Sequence, residues 1–320
     1  MTKVRAVNLA ATILFSFVAC RADVGYAGRS RGEWISELES PDTETRLHAA
    51  DALGKILEIQ PQSHDVVDAL SRALRDTSDE VRLAAATALT REGVDILGAL
   101  EGFHAILHDS AHADVRAVMA LIVGSLGRQR GKLLIPVLRE ALYDADPEVR
   151  ATAVESLAMV DQGANEIRLE IARLANDPSP RVRLQVVQAM LNLRADAALT
   201  LRVVRPALRD SVSSIRSAAG FTVGALGPAG LPALPEIIRL LHDTDPLVRT
   251  AAAFAIGAMG PPARGALPRL AELLRDSSVQ VTTQAKEAIA AVEGKKVSPN
   301  NREPTTQERC GVGSRSSTRC

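Results

Sequence analysis

Aromatic side chains are nearly missing from this chain. Two tyrosines, one tryptophan and five phenylalanines make up 2% of 320 residues, although 46% of the chain is hydrophobic. A core with so few rings must be built from Ala, Leu, Val and Ile, which suits thin layers of packed helices. Net charge is missing too: 38 Lys and Arg stand against 38 Asp and Glu, so no global field draws in nucleic acid or an anionic membrane. Cysteine is scarce, with Cys20 near one end and Cys310 and Cys320 at the other, so neither a disulfide framework nor a Cys-based zinc site holds the fold. Outside the cytoplasm Cys310 and Cys320 can pair with each other. There is no P-loop, no G-x-S-x-G elbow and no strand leading into G-x-G-x-x-G. The glycines of GALGPAG at 224–230 read as a helix-end turn, and GVGS at 311–314 sits in a polar tail.

The first twenty residues, MTKVRAVNLAATILFSFVAC, place Lys3 and Arg5 ahead of an apolar run from Ala6 to Ala19. Those are the charged and apolar regions of an export signal, and the run is too short to span a bilayer. The segment FVAC resembles the lipobox of bacterial lipoproteins, whose cysteine becomes the lipidated first residue, although Phe17 stands where that family has Leu. Ordinary cleavage after Ala27 is the rival. Residues 1–27 are therefore expected to be an export signal, with Cys20 as a lipidation position, giving a periplasmic or envelope-associated protein.

One unit then repeats. Arg46, Arg82, Arg116, Arg150, Arg183, Arg216 and Arg249 follow one another at steps of 36, 34, 34, 33, 33 and 33, and Thr282 takes the eighth place 33 further on. Six residues before these anchors stand Asp76, Asp144, Asp177, Asp210, Asp243 and Asp276, with Asp109 seven before Arg116 and Ser40 six before Arg46. Four before them come Asp42, Ser78, His112, Asp146, Ser179, Val212, Asp245 and Ser278, mostly good N-caps, and Pro147, Pro180 and Pro246 follow at the first helical position. A helix of about twelve residues is expected from each, ending at glycines such as Gly127, Gly227 and Gly260. A second apolar-periodic segment leads to the next unit. Each unit is thus a helical hairpin that cannot bury its apolar stripe alone and must stack on its neighbours.

The pattern resembles the HEAT repeats, specifically the short phycobilisome-lyase-like kind with its D-x-D-P-x-V-R-x-x-A-A-x-A-L-G signature. The best matches are DADPEVRATAVESLAMV and DTDPLVRTAAAFAIGAMG. The resemblance covers residues 31–293 and implies an all-α fold, a right-handed α-solenoid of about eight helical hairpins. It also implies that the anchor helices line a concave side and that an Asp-to-Arg ladder joins successive units. Arg82, Arg116, Arg150, Arg183, Arg216 and Arg249 would then be structural, together with the six aspartates. The eighth unit, with Thr282 and KEAIAAVEG, suits a C-terminal cap. From residue 294 the chain has Pro, Ser, Thr and charge without an apolar face, and 294–320 is expected to be a disordered tail.

Within the anchor helix, the apolar places one before the anchor and three, seven and ten after it lie within about 80° of each other at 100° per residue. The fifth residue after the anchor falls about 155° from their centre, and the first and eighth about as far. The fifth column reads Asp51, Thr87, Leu121, Glu155, Gln188, Phe221, Phe254 and Glu287. Two of the three phenylalanines outside the signal thus share one exposed place in adjacent units. With Gly224 and Gly257 at the eighth place and Ser217 and Thr250 at the first, nothing bulky is expected to cover the rings. The sequence points to a binding scaffold that holds a protein or peptide through Phe221 and Phe254. Leu121, Leu184 and Gln188 would extend the surface and Glu155 would offer a charged contact. Packing of the two rings on each other, without a partner, is the alternative.

Catalysis is not expected. His104 and His108, four apart on one helix, could hold zinc with His112 or Asp109, but no glutamate follows His104 as in the zinc proteases. The residue set fits a surface histidine cluster better. Deoxyhypusine hydroxylases have His-Glu pairs that bind iron, and no His precedes Glu here. Bilin lyases share the repeat style but are cytoplasmic, which conflicts with export. No cofactor, no metal and no nucleic acid partner is expected. Membrane contact would come only through the N-terminal anchor, and a monomer is expected.

Overall fold

The computed structural model describes residues 25–160, 165–193 and 195–295. Nearly all of the expected export signal, with Cys20, and the tail from 296 with Cys310 and Cys320 lie outside the described residues. Helix makes up 77% of the structure, and among the described residues no strand forms, only an isolated bridge between Tyr26 and Arg29. The chain divides into two compact units, one up to residue 194 and one from residue 195.

Both units are α-solenoids built from two helical layers. In the N-terminal unit the anchor helices Thr43–Ile59, Asp79–Leu89, Ala113–Ser125, Pro147–Val160 and Pro180–Asn192 lie side by side. Each is backed by the helix that precedes it: Arg31–Glu37, His64–Ala73, Leu100–Asp109, Ile135–Ala141 and Asn165–Arg173. In the C-terminal unit the anchor helices are Ser213–Ala225, Pro246–Met259 and Val279–Val292, backed by Ala197–Ala207, Leu234–Leu240 and Leu267–Glu272.

Local sequence sets where each anchor helix begins. Asp42, Ser78 and Asp245 accept hydrogen bonds from backbone N–H groups of the first turn, and Asp146 accepts one from Glu148 N at 2.8 Å. These caps satisfy donors that the helix itself leaves orphaned. Ser179 and Ser278 make no such side-chain bond; their own N–H groups are taken up by Asp177 and Asp276 two residues earlier. Proline at the first helical position adds a preset φ at Pro147, Pro180 and Pro246. At the other end Gly260 has φ 69°, a left-handed conformation that stops Pro246–Met259.

The expected core face is buried. Val81, Val149, Val182, Ile215, Val248 and Val281, each one residue before an anchor, are fully enclosed, as are Leu53, Leu89, Val123, Leu157, Val223 and Ile256 seven after. Three places after the anchor the side chains are mostly alanine, also buried at Ala49, Ala85, Ala153, Ala219, Ala252 and Ala285. Small side chains there bring neighbouring anchor helices close, so a core poor in rings still packs densely. Among the described residues Phe103 is the one phenylalanine wholly inside, and Trp34 donates to Tyr26 O at 2.9 Å under the stacked guanidinium of Arg29.

Candidate functional site

The arginine column does one job in several places at once. Arg46, Arg116 and Arg150 in the N-terminal unit, and Arg216 and Arg249 in the C-terminal unit, each send Nε and Nη2 to the two carboxylate oxygens of the next unit's aspartate. These pairs join Arg46 to Asp76, Arg116 to Asp144, Arg150 to Asp177, Arg216 to Asp243 and Arg249 to Asp276, at 2.7–2.9 Å. The remaining nitrogen, Nη1, turns back to a carbonyl six residues upstream, as from Arg249 to Asp243 O at 2.9 Å and from Arg183 to Asp177 O at 2.9 Å. Each aspartate in turn accepts the backbone N–H two residues on, as Asp276 does from Ser278 at 2.9 Å and Asp210 from Val212 at 2.9 Å. One carboxylate therefore fixes the turn that starts its own helix and clamps the helix before it. Bidentate pairs of this kind are strong and directional.

Electrostatics follow the geometry. In Asp76, Asp144 and Asp177 burial pushes the carboxyl pKa up, but the arginine fork and the turn N–H together outweigh it and hold the group below the usual carboxylate range. In Asp243 and Asp276 the arginine hydrogen bond is the largest influence, and the shift is again downward. Arg82 has a carboxylate on its own helix as well. It pairs with Asp79 there and donates to Asp76 O at 2.8 Å, while the side chain of Asp109 lies outside the described residues.

The fifth-place residues are on the solvent side, as the helical period predicts. Asp51, Thr87, Gln188 and Glu287 are exposed, Leu121 is 39% exposed, and Glu155 is half-buried and meets Gln185 Nε2 at 3.5 Å. Leu184, at the first place, is half-buried. Phe221 is 36% exposed and Phe254 half-buried, and their rings meet at 5.7 Å between centroids with planes tilted by 50°. Tilted contacts at that distance are favoured for aromatic pairs.

The neighbouring columns overturn part of the expectation. Ser217 and Thr250, at the first place, are 4% and 3% exposed, and their hydroxyls bond to Ser214 O and Pro246 O of their own helices. The eighth place is buried at Gly54, Gly124 and Gly224, because here adjacent anchor helices touch sideways. A Cβ on Gly224 would lie 2.5 Å from Cε1 and 2.6 Å from Cδ1 of Phe254. Gly224 is thus the notch that holds the Phe254 ring. The ring lies down on the preceding helix instead of standing free, and its outer edge and Phe221 form the apolar surface.

The histidines are split. His104 and His108 stack at 5.7 Å with His104 Nε2 3.7 Å from Glu140, whereas His112 Nδ1 sits 2.6 Å from Asp79 Oδ2. Among the described residues no group of three or more His, Cys, Asp or Glu could hold a metal ion, and no helix is long and apolar enough to cross a membrane.

Sequence reasoning missed a second ladder on the backing helices. Arg139 clamps Glu170 from Nε at 2.8 Å and from Nη2, and Arg205 reaches Glu236 from Nε and Nη2 at 3.1 and 2.6 Å. The signal was available: both arginines stand eleven residues before an anchor, Arg150 and Arg216, and both glutamates thirteen before the anchor that follows it, Arg183 and Arg249.

Among solved structures, E. coli YibA is 15% identical, with 90% of this chain and 99% of that one covered at TM-score 0.56. A karyopherin Kap121p mutant is 16% identical, covering 88% of this chain and 37% of that one at TM-score 0.56. Kap121p bound to the extreme C-terminus of the protein phosphatase Cdc14p is 17% identical, covering 82% and 33% at TM-score 0.54. At such identities the likeness is one of fold. No curated protein matches the chain. The family of HEAT repeats matches residues 33–122, 100–168, 135–223 and 201–290, overlapping segments that take in every anchor from Arg46 to Thr282, and the chain belongs to the HEAT repeat family.

Proposed function

We propose that this chain is a non-catalytic scaffold that holds a protein or peptide partner on its anchor-helix faces, with Phe221 and Phe254 as anchors in the C-terminal unit. The observation that carries the reading is the tilted ring pair, 5.7 Å apart, seated over Gly224 with Phe221 36% exposed. Rings held this firmly lose little freedom on binding, which is the property of interface anchors. In the N-terminal unit, Leu121 and Gln188 offer exposed contacts at the same helical place, with Leu184 and Glu155 beside them. The pairing of ladder arginines with aspartates also supports binding by shape and apolar contact, since it removes those cations from any nucleic-acid footprint. Residues 1–27 would export the chain, with Cys20 as a lipid anchor or cleavage after Ala27, and the repeats would be of the phycobilisome-lyase-like kind. The partner surface of a Kap121p structure, occupied by a protein C-terminus, is an analogy of fold that fits a peptide partner.

The test is a pull-down from the source organism's envelope fraction with the mature chain and with a Phe221→Ala, Phe254→Ala double variant, paired with melting curves of both. A partner captured by the first and lost by a still-folded second is the expected result. Equal capture by both would remove the rings from the interface.

A further inference from the structure

The backing helix Ala197–Ala207 carries Arg202 and Arg205, and Arg209 follows just past its end, so spacings of three and four place all three on one side. They line an open groove of about 570 Å³ with Leu201 and Pro206 as apolar wall and Glu236 as its one carboxylate. Glu236 is 8% exposed, deeper than is usual for a glutamate.

The two rungs of the second ladder differ here. Arg139 uses both oxygens of Glu170, whereas Arg205 places both of its nitrogens on Oε1 of Glu236. Glu236 Oε2 is left buried without a hydrogen-bond donor among the described residues. A buried acceptor in that state is costly and invites a donor from outside. Arg202 and Arg209 are exposed, and neither pairs with a carboxylate among the described residues; Arg239, also exposed, adds its charge near Glu236. The groove therefore offers unmatched guanidinium forks above and one unmatched acceptor below. The side chain of Arg205 is 46% exposed, and a swing toward an incoming carboxylate would open the way to Oε2.

We propose that this groove binds an acidic peptide segment. Its Asp or Glu carboxylates take the forks of Arg202 and Arg209, a backbone N–H of the peptide satisfies Glu236 Oε2, and its aliphatic stems lie on Leu201 and Pro206. The donor requirement selects the class. A phosphate group brings acceptors only and would set its charge against Glu236, whereas a peptide brings carboxylates and N–H donors together. The groove lies on the backing helices, apart from the phenylalanine pair, so the two sites stand or fall separately.

The test is fluorescence anisotropy of a fluorescein-labelled hexaglutamate peptide against the full chain at low salt, with unlabelled tripolyphosphate as competitor. Three variants are compared: Arg202→Gln with Arg209→Gln, Arg209→Gln alone, and Phe221→Ala with Phe254→Ala. The proposal expects saturable binding, weakened at least about tenfold in the first variant, about the weight of one charge-assisted hydrogen bond. A smaller loss is expected in the second and none in the third. The arginines tested are exposed and pair with no carboxylate among the described residues, so melting temperatures should not move. No binding of hexaglutamate, binding unchanged in the arginine variants, or tighter binding of tripolyphosphate than of the peptide would each overturn it.

Discussion

Gly224→Ala separates two effects that ordinarily run together. Alanine in place of glycine inside a helix is worth up to about 1 kcal/mol from backbone entropy alone. Against this, the new methyl would stand 2.5 and 2.6 Å from ring atoms of Phe254 and 3.2 Å from Cα of Ala255. The ring contacts are far inside van der Waals distance and Phe221, packed on the ring, limits where it can go, whereas the approach to Ala255 needs a shift of only a few tenths of an ångström. Overpacking of this type costs about 1–3 kcal/mol, so the clash wins and the net loss is about 1 kcal/mol. Removing the ring first changes the sign. In a Phe254→Ala background, itself weaker by about 2 kcal/mol for a half-buried ring, Gly224→Ala should be neutral or stabilising.

The measurement is a double-mutant cycle by urea denaturation of the four chains, read at equal m value. The expected coupling between positions 224 and 254 is about 1–2 kcal/mol. A Gly224→Ala chain more stable than wild type, or a coupling within about 0.5 kcal/mol of zero, would refute the notch and return Phe254 to the solvent.

Two further outcomes follow from the ladder. Arg249→Met strands Asp276 in a mostly buried rung and should cost about 2–3 kcal/mol, below the 3–5 of a fully buried pair. Arg181→Met, which breaks an exposed pair with Glu148 at 3.1 Å, should cost under about 1 kcal/mol; equal losses in thermal unfolding would contradict the ranking. The pH dependence has a definite sign, because the folded-state pKa values of Asp76, Asp144, Asp177, Asp243 and Asp276 are depressed. Their contribution is fully present above the unfolded value of about 3.9 and is lost as pH falls through the lower folded values. Urea midpoints should hold from neutrality down to about pH 4 and then drop, with a shallower drop in Asp243→Asn. A wild-type midpoint that fell mainly between about pH 7 and 5 would point to other groups.

The register of the repeat was legible because two independent periodicities agree. Arg249 marks the unit length, and Val248, Ala252 and Ile256 around it mark the buried stripe. The exposed fifth place follows from that stripe by rotation alone, and Leu121 and Phe221 lie there. Rotation failed at the first and eighth places for a physical reason. A helical wheel treats the helix as having one buried side, whereas an interior anchor helix touches a backing helix and an anchor helix on each flank. Ser217 and Thr250 are buried, and Gly224 lies against Phe254 and Ala255 of the next anchor helix, where a Cβ would not fit. Their size was the signal, and reading it as openness missed that Gly224 seats the Phe254 ring. The Arg205–Glu236 rung was hidden for the opposite reason: among the described residues it recurs at Arg139–Glu170 alone, too seldom to stand out beside the anchor column.

What repeats in this chain is consumed by the fold. Each anchor arginine that bridges to the next unit's aspartate spends Nε and Nη2 on that carboxylate and Nη1 on its own turn, so the most regular charges have nothing left for a partner. The buried valines and alanines are spent in the same way. On the proposed reading, recognition would rest on residues that break the repeat while the repeat holds them still. Phe221 and Phe254 break the polar fifth place, and they stay fixed because Gly224 receives one ring and the other leans on it. Arg202 and Arg209 break the charge balance of the backing layer, beside a rung whose glutamate is only half satisfied. Both departures fall in the C-terminal unit, where Arg216–Asp243 and Arg249–Asp276 tie successive helices together. A site on so regular a frame needs no loop to build it, since two ladder rungs and one glycine already position the side chains that differ.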